Sequence, residues 1–349
     1  MHIIKLFSPS PVPLADSMVL EGDVRLALGQ LPDESVQCVV TSPPYWGLRD
    51  YGIAGQIGLE STLAAFIQSL TGVFAEVKRV LKQDGILWLN IGDGYTSGNR
   101  GWRAPDKKNP NRAMNVRPDN PPGLKDKDLI GIPWRLALAL QDNGWFLRSD
   151  IVWNKPNAMP ESVKDRPTRA HEYLFMLTKS EQYRYNHEAV KEPAGDGRMR
   201  NLRTVWNINT TSSGSSHIAA FPQGLVEPCI LASTQPDEFV LDPFFGSGTV
   251  GLVAQRLGRR YVGIELNPTY VAEAVTALEK PLSALSRNGS RRMKSQYDPT
   301  PTFLESPGDD GNRASGVSAS LPPRSVGGDD QPTGTKDNQR RTRRVRVVG

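Results

Sequence analysis

Two short stretches hold residue types that can do chemistry on a small, flat ligand. The first is Thr-Ser-Pro-Pro-Tyr-Trp-Gly at 41–47, directly after the apolar run Val36–Val40. It places a hydroxyl, a carbonyl aimed by a fixed proline φ, and two flat rings at the end of a predicted strand. Such a set can grip a planar group by its edge and by its face. The second stretch, Val240–Gly251, reads as strand, turn and helix start, and its Gly246, Gly248 and Gly251 fit G-x-G-x-x-G. Glu265 lies 19 residues after Gly246, at the end of the next predicted strand. An acid at that spacing accepts hydrogen bonds from ribose hydroxyls.

Glycines let a ligand approach the backbone, and the following helix start offers unpaired N–H groups. Both a nicotinamide dinucleotide and S-adenosyl-L-methionine fit this geometry. Asp242-Pro243 ahead of the glycines favours the second. A pyrophosphate wants bare N–H groups and positive charge, whereas an acid suits an amino or sulfonium group.

The elements that must position these stretches are legible from periodicity. Leu63, Phe66, Ile67, Leu70, Phe74, Val77 and Leu81 recur at helical spacing, and Gly85 is read as the stop. A second helix is predicted over Leu129–Gln141, and a third from Thr249 with Gly258 past its end. Strands are predicted at Ser35–Val40, Ile86–Gly92, Trp145–Trp153, Glu172–Thr178, Glu238–Phe244 and Arg260–Leu266. Strand and helix alternate, which predicts a doubly wound α/β sheet. Two polar stretches interrupt it, 94–128 and about 180–216.

The formal net charge is +5. Residues 281–349 hold twelve Lys or Arg against seven Asp or Glu, so they carry the whole excess and residues 1–280 are neutral. Global charge is therefore no argument for a DNA groove in the folded part. Residues 281–349 are rich in Ser, Gly, Pro and charge and are read as a disordered basic tail. Its five arginines between Arg340 and Arg346 form either a solvated end or a sequence-independent phosphate clamp. The expected organisation is an N-terminal extension at 1–17, one domain at 18–280, and the tail. No apolar run reaches membrane-spanning length. Only two cysteines occur, Cys38 and Cys229, which suits a reducing cytoplasm, and the histidines and cysteines show no metal-ligand spacing.

Taken together, the two stretches resemble the DNA amino-methyltransferases that modify N4 of cytosine or N6 of adenine. Thr-Ser-Pro-Pro-Tyr-Trp is similar to their catalytic [DNS]-P-P-[YFW] motif. Asp-Pro-Phe-Phe-Gly-Ser-Gly is similar to their donor motif, usually F-x-G-x-G, read here on Phe245, Gly246 and Gly248. His217–Ile230 resembles the segment that closes over the donor. Catalytic motif first and donor motif last is the β-class order.

The resemblance implies a mostly parallel seven-stranded sheet in a circularly permuted chain. It implies S-adenosyl-L-methionine as donor and double-stranded DNA as substrate, with a cognate restriction endonuclease as a candidate partner. For a monomer or homodimer alike, Ser42 and the Pro43 carbonyl would hold the base amine, Pro44 would stiffen the turn, Tyr45 would stack on a flipped base and Trp46 would wall it. Phe221, Asp242, Phe245, Gly246, Gly248, Thr249 and Glu265 would meet the donor. Asp23 would either touch the donor or cap a helix. His171 and Glu172 would line the pocket or start a strand. Arg100, Arg103, Lys107 and Lys108 in the first insertion, and Arg198, Arg200 and Arg203 in the second, are candidate DNA contacts. Serine at the first motif position favours cytosine N4 over adenine N6. Pro228-Cys229 matches the nucleophile dipeptide of C5-cytosine methylation, but its apolar surroundings mark it as core. A DNA-binding relative without activity, and a nicotinamide oxidoreductase, are the readings set against this one.

Overall fold

The structure, a computed structural model, describes residues 2–5, 12–96, 118–210 and 222–280. In chain order the elements are β1 (His2–Lys5), β2 (Met18–Glu21), α1 (Val24–Gly29), β3 (Val36–Thr41), α2 (Leu63–Val80), β4 (Leu81–Ile91), α3 (Ile132–Asp142), β5 (Phe146–Asn154), β6 (His171–Thr178), β7 (Glu192–Pro193), β8 (Met199–Arg200), β9 (Val205–Asn207), α4 (Gln223–Ser233), β10 (Phe239–Asp242), α5 (Thr249–Arg256), β11 (Arg260–Glu265) and α6 (Pro268–Leu278).

Nine strands form one sheet in the order β1-β2-β11-β10-β3-β4-β6-β5-β9. Every neighbouring pair is parallel except those made by β6, which runs against β4 and β5. The seven central strands, β2 to β5 in this order, are the expected sheet. Two strands extend it. β9 adds to one edge, and β1, from the expected extension at 1–17, pairs with β2 at the other.

Alternate side chains of each buried strand feed two cores, one on each face. Leu20 and Val39 join the helices α1, α2 and α3, while Val19, Cys38 and Val40 join α4, α5 and α6. β3 and β10 are buried along their whole length, and mostly apolar, because helices cover both faces. Helix α2 starts where Thr62 accepts from the Ala65 N–H at 3.1 Å. It buries Phe66, Leu70, Phe74 and Val77, each worth roughly 1.5–3 kcal/mol relative to exposure.

Two helix ends differ from the sequence reading. Helix α2 stops at Val80, not Gly85, because Leu81 already enters β4. The register then slips between Val36 and Cys38 of β3, and Gly85 sits at this bulge. A Cβ there would lie 2.9 Å from the Gln37 carbonyl, so glycine is needed for closeness and not for termination. Helix α3 starts at Ile132, not Leu129. The Asp93 carboxylate, arriving from the end of β4, accepts from the N–H groups of Gly131 and Ile132, both at 3.0 Å.

Among the described residues, no helix is long and apolar enough to cross a membrane.

Candidate active site

Sheet order turns residues distant in sequence into neighbours along one edge. Registers pair Glu21 with Glu265, Asp242 with Gly263, Val39 with Leu241, Thr41 with Leu89, Ile91 with Tyr173 and Asn154 with His171. The same edge therefore carries the ends of β2, β11, β10, β3, β4 and β5. Because β6 is reversed, its first residues, His171 and Glu172, lie there too. From β3 the chain goes on to β4 on one side, and from β10 it goes on to β11 on the other. The gap between β3 and β10 is thus a topological switch point, where open α/β sheets bind ligands.

The two sequence stretches meet at this gap. The Thr41 hydroxyl donates to Asp242 Oδ1 at 2.7 Å, and both residues are buried. The Phe244 N–H also donates to Oδ1, at 3.1 Å. Burial raises the Asp242 carboxyl to about 7, although both hydrogen bonds favour the anion. An acid held this way, with both of these bonds on one oxygen, is matched to a cationic partner that would restore its charge.

Next to it the glycine loop is built from backbone. Gly246 and Gly248 take φ of 50° and 85°, which side-chain-bearing residues rarely adopt. Thr249 opens α5 directly after them, and its side chain is half-buried. Glu265 Oε2 accepts from the Gly246 N–H and Oε1 from the Asn267 N–H, each at 2.8 Å. Burial raises this carboxyl also. Each oxygen keeps a further lone pair, so the acid that fixes the loop can still accept from a ribose hydroxyl.

Phe245 packs beneath this loop: a Cβ on Gly248 would lie 3.4 Å from its ring. Its ring is buried and stacks on Tyr261 with centroids 6.0 Å apart. A Cβ on Gly263 would sit 2.4 Å from that ring, and one on Gly251 2.7 Å away. The third glycine of G-x-G-x-x-G therefore makes room for Phe245 between α5 and β11, and Phe244 occupies the first position of F-x-G-x-G.

On the other side of the gap, Ser42 is half-buried and Pro43 buried. Tyr45 lies on Gly92, where a Cβ would come within 2.7 Å of its ring. Its hydroxyl donates to Glu172 Oε2 at 2.8 Å. The other Glu172 oxygen forms an ion pair with Lys155, from just after β5. The Lys155 ammonium sits 4.2 Å from the centroid of the Trp153 ring. Burial and the Glu172 charge push the Tyr45 phenol well above its ordinary range.

Several expected contacts do other work. Trp46 is a core anchor, not a wall: it is buried and its indole donates to the Glu60 carbonyl at 2.9 Å. Asp23 caps α1, accepting from the Arg25 N–H at 2.8 Å and from its Nε at 2.9 Å. Arg198 is matched by Asp196. Arg200 and Arg203 both donate to Oε1 of the buried Glu192, at 2.7 and 2.8 Å, so their charge is partly spent inside the protein. Phe221, Arg100, Arg103, Lys107 and Lys108, like residues 281–349, lie outside the described residues.

Cys229 is buried, donates to the Leu225 carbonyl and has its thiol pushed well above the usual range by burial, while Cys38 rises to about 12. Neither can serve as a thiolate nucleophile. Sequence reasoning missed Gly92, Asp93 and Lys155. Gly92 ends a predicted strand, and Asp93 and Lys155 stand just past one; that position was their only signal. Among the described residues, no group of three or more His, Cys, Asp or Glu could hold a metal ion.

Comparison with known proteins agrees with this geometry. A family profile described as DNA methylase matches residues 36–276. The type II methyltransferase M.Cfr9I of Citrobacter freundii is 65% identical over 279 residues, 80% of this chain and 93% of that protein. The fold is similar to that of PvuII DNA methyltransferase (cytosine-N4-specific), with a TM-score of 0.58 and 23% identity over 80% of this chain and 92% of that one. It is also similar to TTHA0409 of Thermus thermophilus complexed with S-adenosyl-L-methionine, with a TM-score of 0.53 and 27% identity over 74% and 92%. With both motifs facing one another across a single switch point, the chain belongs to the DNA methylase family of the N6/N4 type.

Proposed function

We propose that this DNA methyltransferase modifies the exocyclic N4 amine of a cytosine flipped out of double-stranded DNA. S-adenosyl-L-methionine supplies a methyl group made electrophilic by its sulfonium. The observation that carries the reading is the Thr41–Asp242 hydrogen bond, which ties the end of the Ser-Pro-Pro-Tyr strand to the start of the donor loop. Asp242 would meet the cationic end of the donor, the Gly246–Gly248 backbone would let it approach, and Glu265 would accept from its ribose.

The base amine is a poor nucleophile while its lone pair is conjugated with the ring. Ser42 Oγ and the Pro43 carbonyl would accept its hydrogens and hold the lone pair out of conjugation. Tyr45, backed by Gly92, would stack on the base and return about 1–3 kcal/mol of the flipping cost. Proximity and fixed dipoles then supply the rate, with no covalent enzyme intermediate. Serine in place of a carboxylate or amide at position 42 supports cytosine over adenine. Mass spectrometry of DNA from cells expressing the protein should find N4-methylcytosine, and N6-methyladenine alone would sink the cytosine reading.

Residues 94–128, with eight basic against four acidic side chains, and 180–216 are proposed to read the target sequence. Deleting 98–121 should weaken DNA binding and leave donor binding intact. The type II designation of M.Cfr9I supports a cytoplasmic role beside a restriction endonuclease.

A further inference from the structure

We infer that Glu172 is the final acceptor of the proton that the target amine loses, reached through Ser42 and Tyr45. The inference rests on the methyl-transfer reading above. An amine that has gained a methyl group carries one proton too many, and a serine hydroxyl is a poor place to leave it. From Ser42 a route continues. The Ser42 hydroxyl stands near enough to the Tyr45 phenol to stabilise its anion. The phenol donates to Glu172 Oε2 at 2.8 Å. Lys155 pairs with the other carboxylate oxygen and fixes the carboxylate's orientation, and both side chains are only 17% exposed.

Stacking alone does not explain this arrangement. A phenylalanine would stack as well, so the hydroxyl and its acid are extra. Burying an acid–lysine pair at a strand end also costs desolvation that a stacking platform does not require. The phenol is held well above its ordinary range, so it stays protonated and passes a proton on.

The step balances. The amine N–H bond breaks as an O–H bond forms on Ser42. The original Ser42 proton moves to the Tyr45 oxygen, and the original phenol proton moves to Glu172 Oε2. Ser42 and Tyr45 end as they began, the amine nitrogen is neutral, and the carboxylate has become an acid that returns its proton to water.

The test uses the full chain with Tyr45→Phe, Glu172→Gln and the double variant, all of nearly unchanged shape. Single-turnover methylation is followed in light and heavy water. Base extrusion is read from the fluorescence of 2-aminopurine at the target position, and donor affinity by calorimetry. Each single variant should lose about 10²-fold in rate and the wild-type solvent isotope effect, with extrusion and donor affinity held within about twofold. The double variant should be no slower than the slower single one. Wild-type rates in either variant, additive losses, or a rate loss matched by lost extrusion would overturn the relay. Wild-type protein that forms only N6-methyladenine would overturn the base assignment alone, because the variants then report on adenine. Wild-type protein that methylates no DNA would overturn both.

Discussion

The two sides of the cleft are built in different ways. The side proposed for the donor is one continuous stretch, Phe239–Glu265, and its working parts are largely backbone: two left-handed glycines, a helix start, and an acid that accepts from the Gly246 amide of the loop. The base side is assembled from β3, β4, β6 and β5, and its working parts are side chains stacked and bonded across strands: Tyr45 on Gly92, Tyr45 to Glu172, Glu172 to Lys155. A backbone cradle needs glycines at fixed offsets, so it leaves a compact motif. A cross-strand cluster needs only the right residue at each strand end, so its members are scattered.

This contrast predicts that the two sides fail separately. The largest effect is expected from Asp242→Asn, which removes the buried carboxylate proposed to meet the donor's cationic end. Truncating one partner of a buried charge pair costs 2–5 kcal/mol, so donor affinity should fall about 10²-fold. DNA binding, measured by fluorescence anisotropy, should not change. A joint loss of both affinities would mean that the two sides are one cooperative unit.

Gly92→Ala strikes the other side. The added Cβ would come within 2.7 Å of the Tyr45 ring and 3.2 Å of Glu172, so the ring must move. Losing the stacking platform, worth about 1–3 kcal/mol, should lower base extrusion and methylation roughly 5- to 150-fold. Donor affinity by calorimetry should stay at the wild-type value. If the donor side weakened equally, Gly92 would belong to both halves.

The same contrast explains what could be read from the sequence. Asp242, Gly246, Gly248 and Glu265 could be singled out for the proposed donor site because strand, turn and acid follow one another at fixed spacing. Ser42 and Tyr45 could be singled out for the proposed base site because two prolines mark them. Lys155 and Asp93 could not, since a lysine or aspartate after a strand is ordinary until the sheet order is known. Trp46 was misread because an aromatic beside a motif was taken to face the ligand, and burial decided otherwise, while Phe245 was given a motif position that Phe244 fills. Helical periodicity placed α2, but the close approach of Gly85 to β3 was invisible without the bulge.

A smaller effect, from pH, separates the sides again. The Asp242 carboxyl titrates at about 7, above its ordinary value, because of burial. Donor affinity should therefore fall about tenfold between pH 8 and pH 6 as the carboxylate is protonated. Stability moves the opposite way. The folded state holds this proton more tightly than the unfolded chain, so the free protein should lose thermal stability as pH rises from about 4 to about 7. Saturating donor should flatten that loss. A melting temperature that rises over this window, with no donor dependence, would show that Asp242 is ionised in the free protein.

The smallest effect is expected at Cys229, which tests whether a third chemistry competes with the two sides. Its thiol is buried, donates to the Leu225 carbonyl at 3.2 Å and sits on α4, in the core beneath the donor side. Burial raises it well above the usual thiol range, so at neutral pH almost no thiolate is present. Replacing Cys229 by Ala should change the single-turnover rate less than about twofold, with about 1 kcal/mol of stability lost to the small cavity left behind. Native protein should also resist a thiol-alkylating reagent that labels it fully once unfolded. A dead Cys229→Ala variant that still folds and binds donor would mean that carbon, not nitrogen, is the methylated atom, and that Ser42 and Tyr45 serve a different reaction.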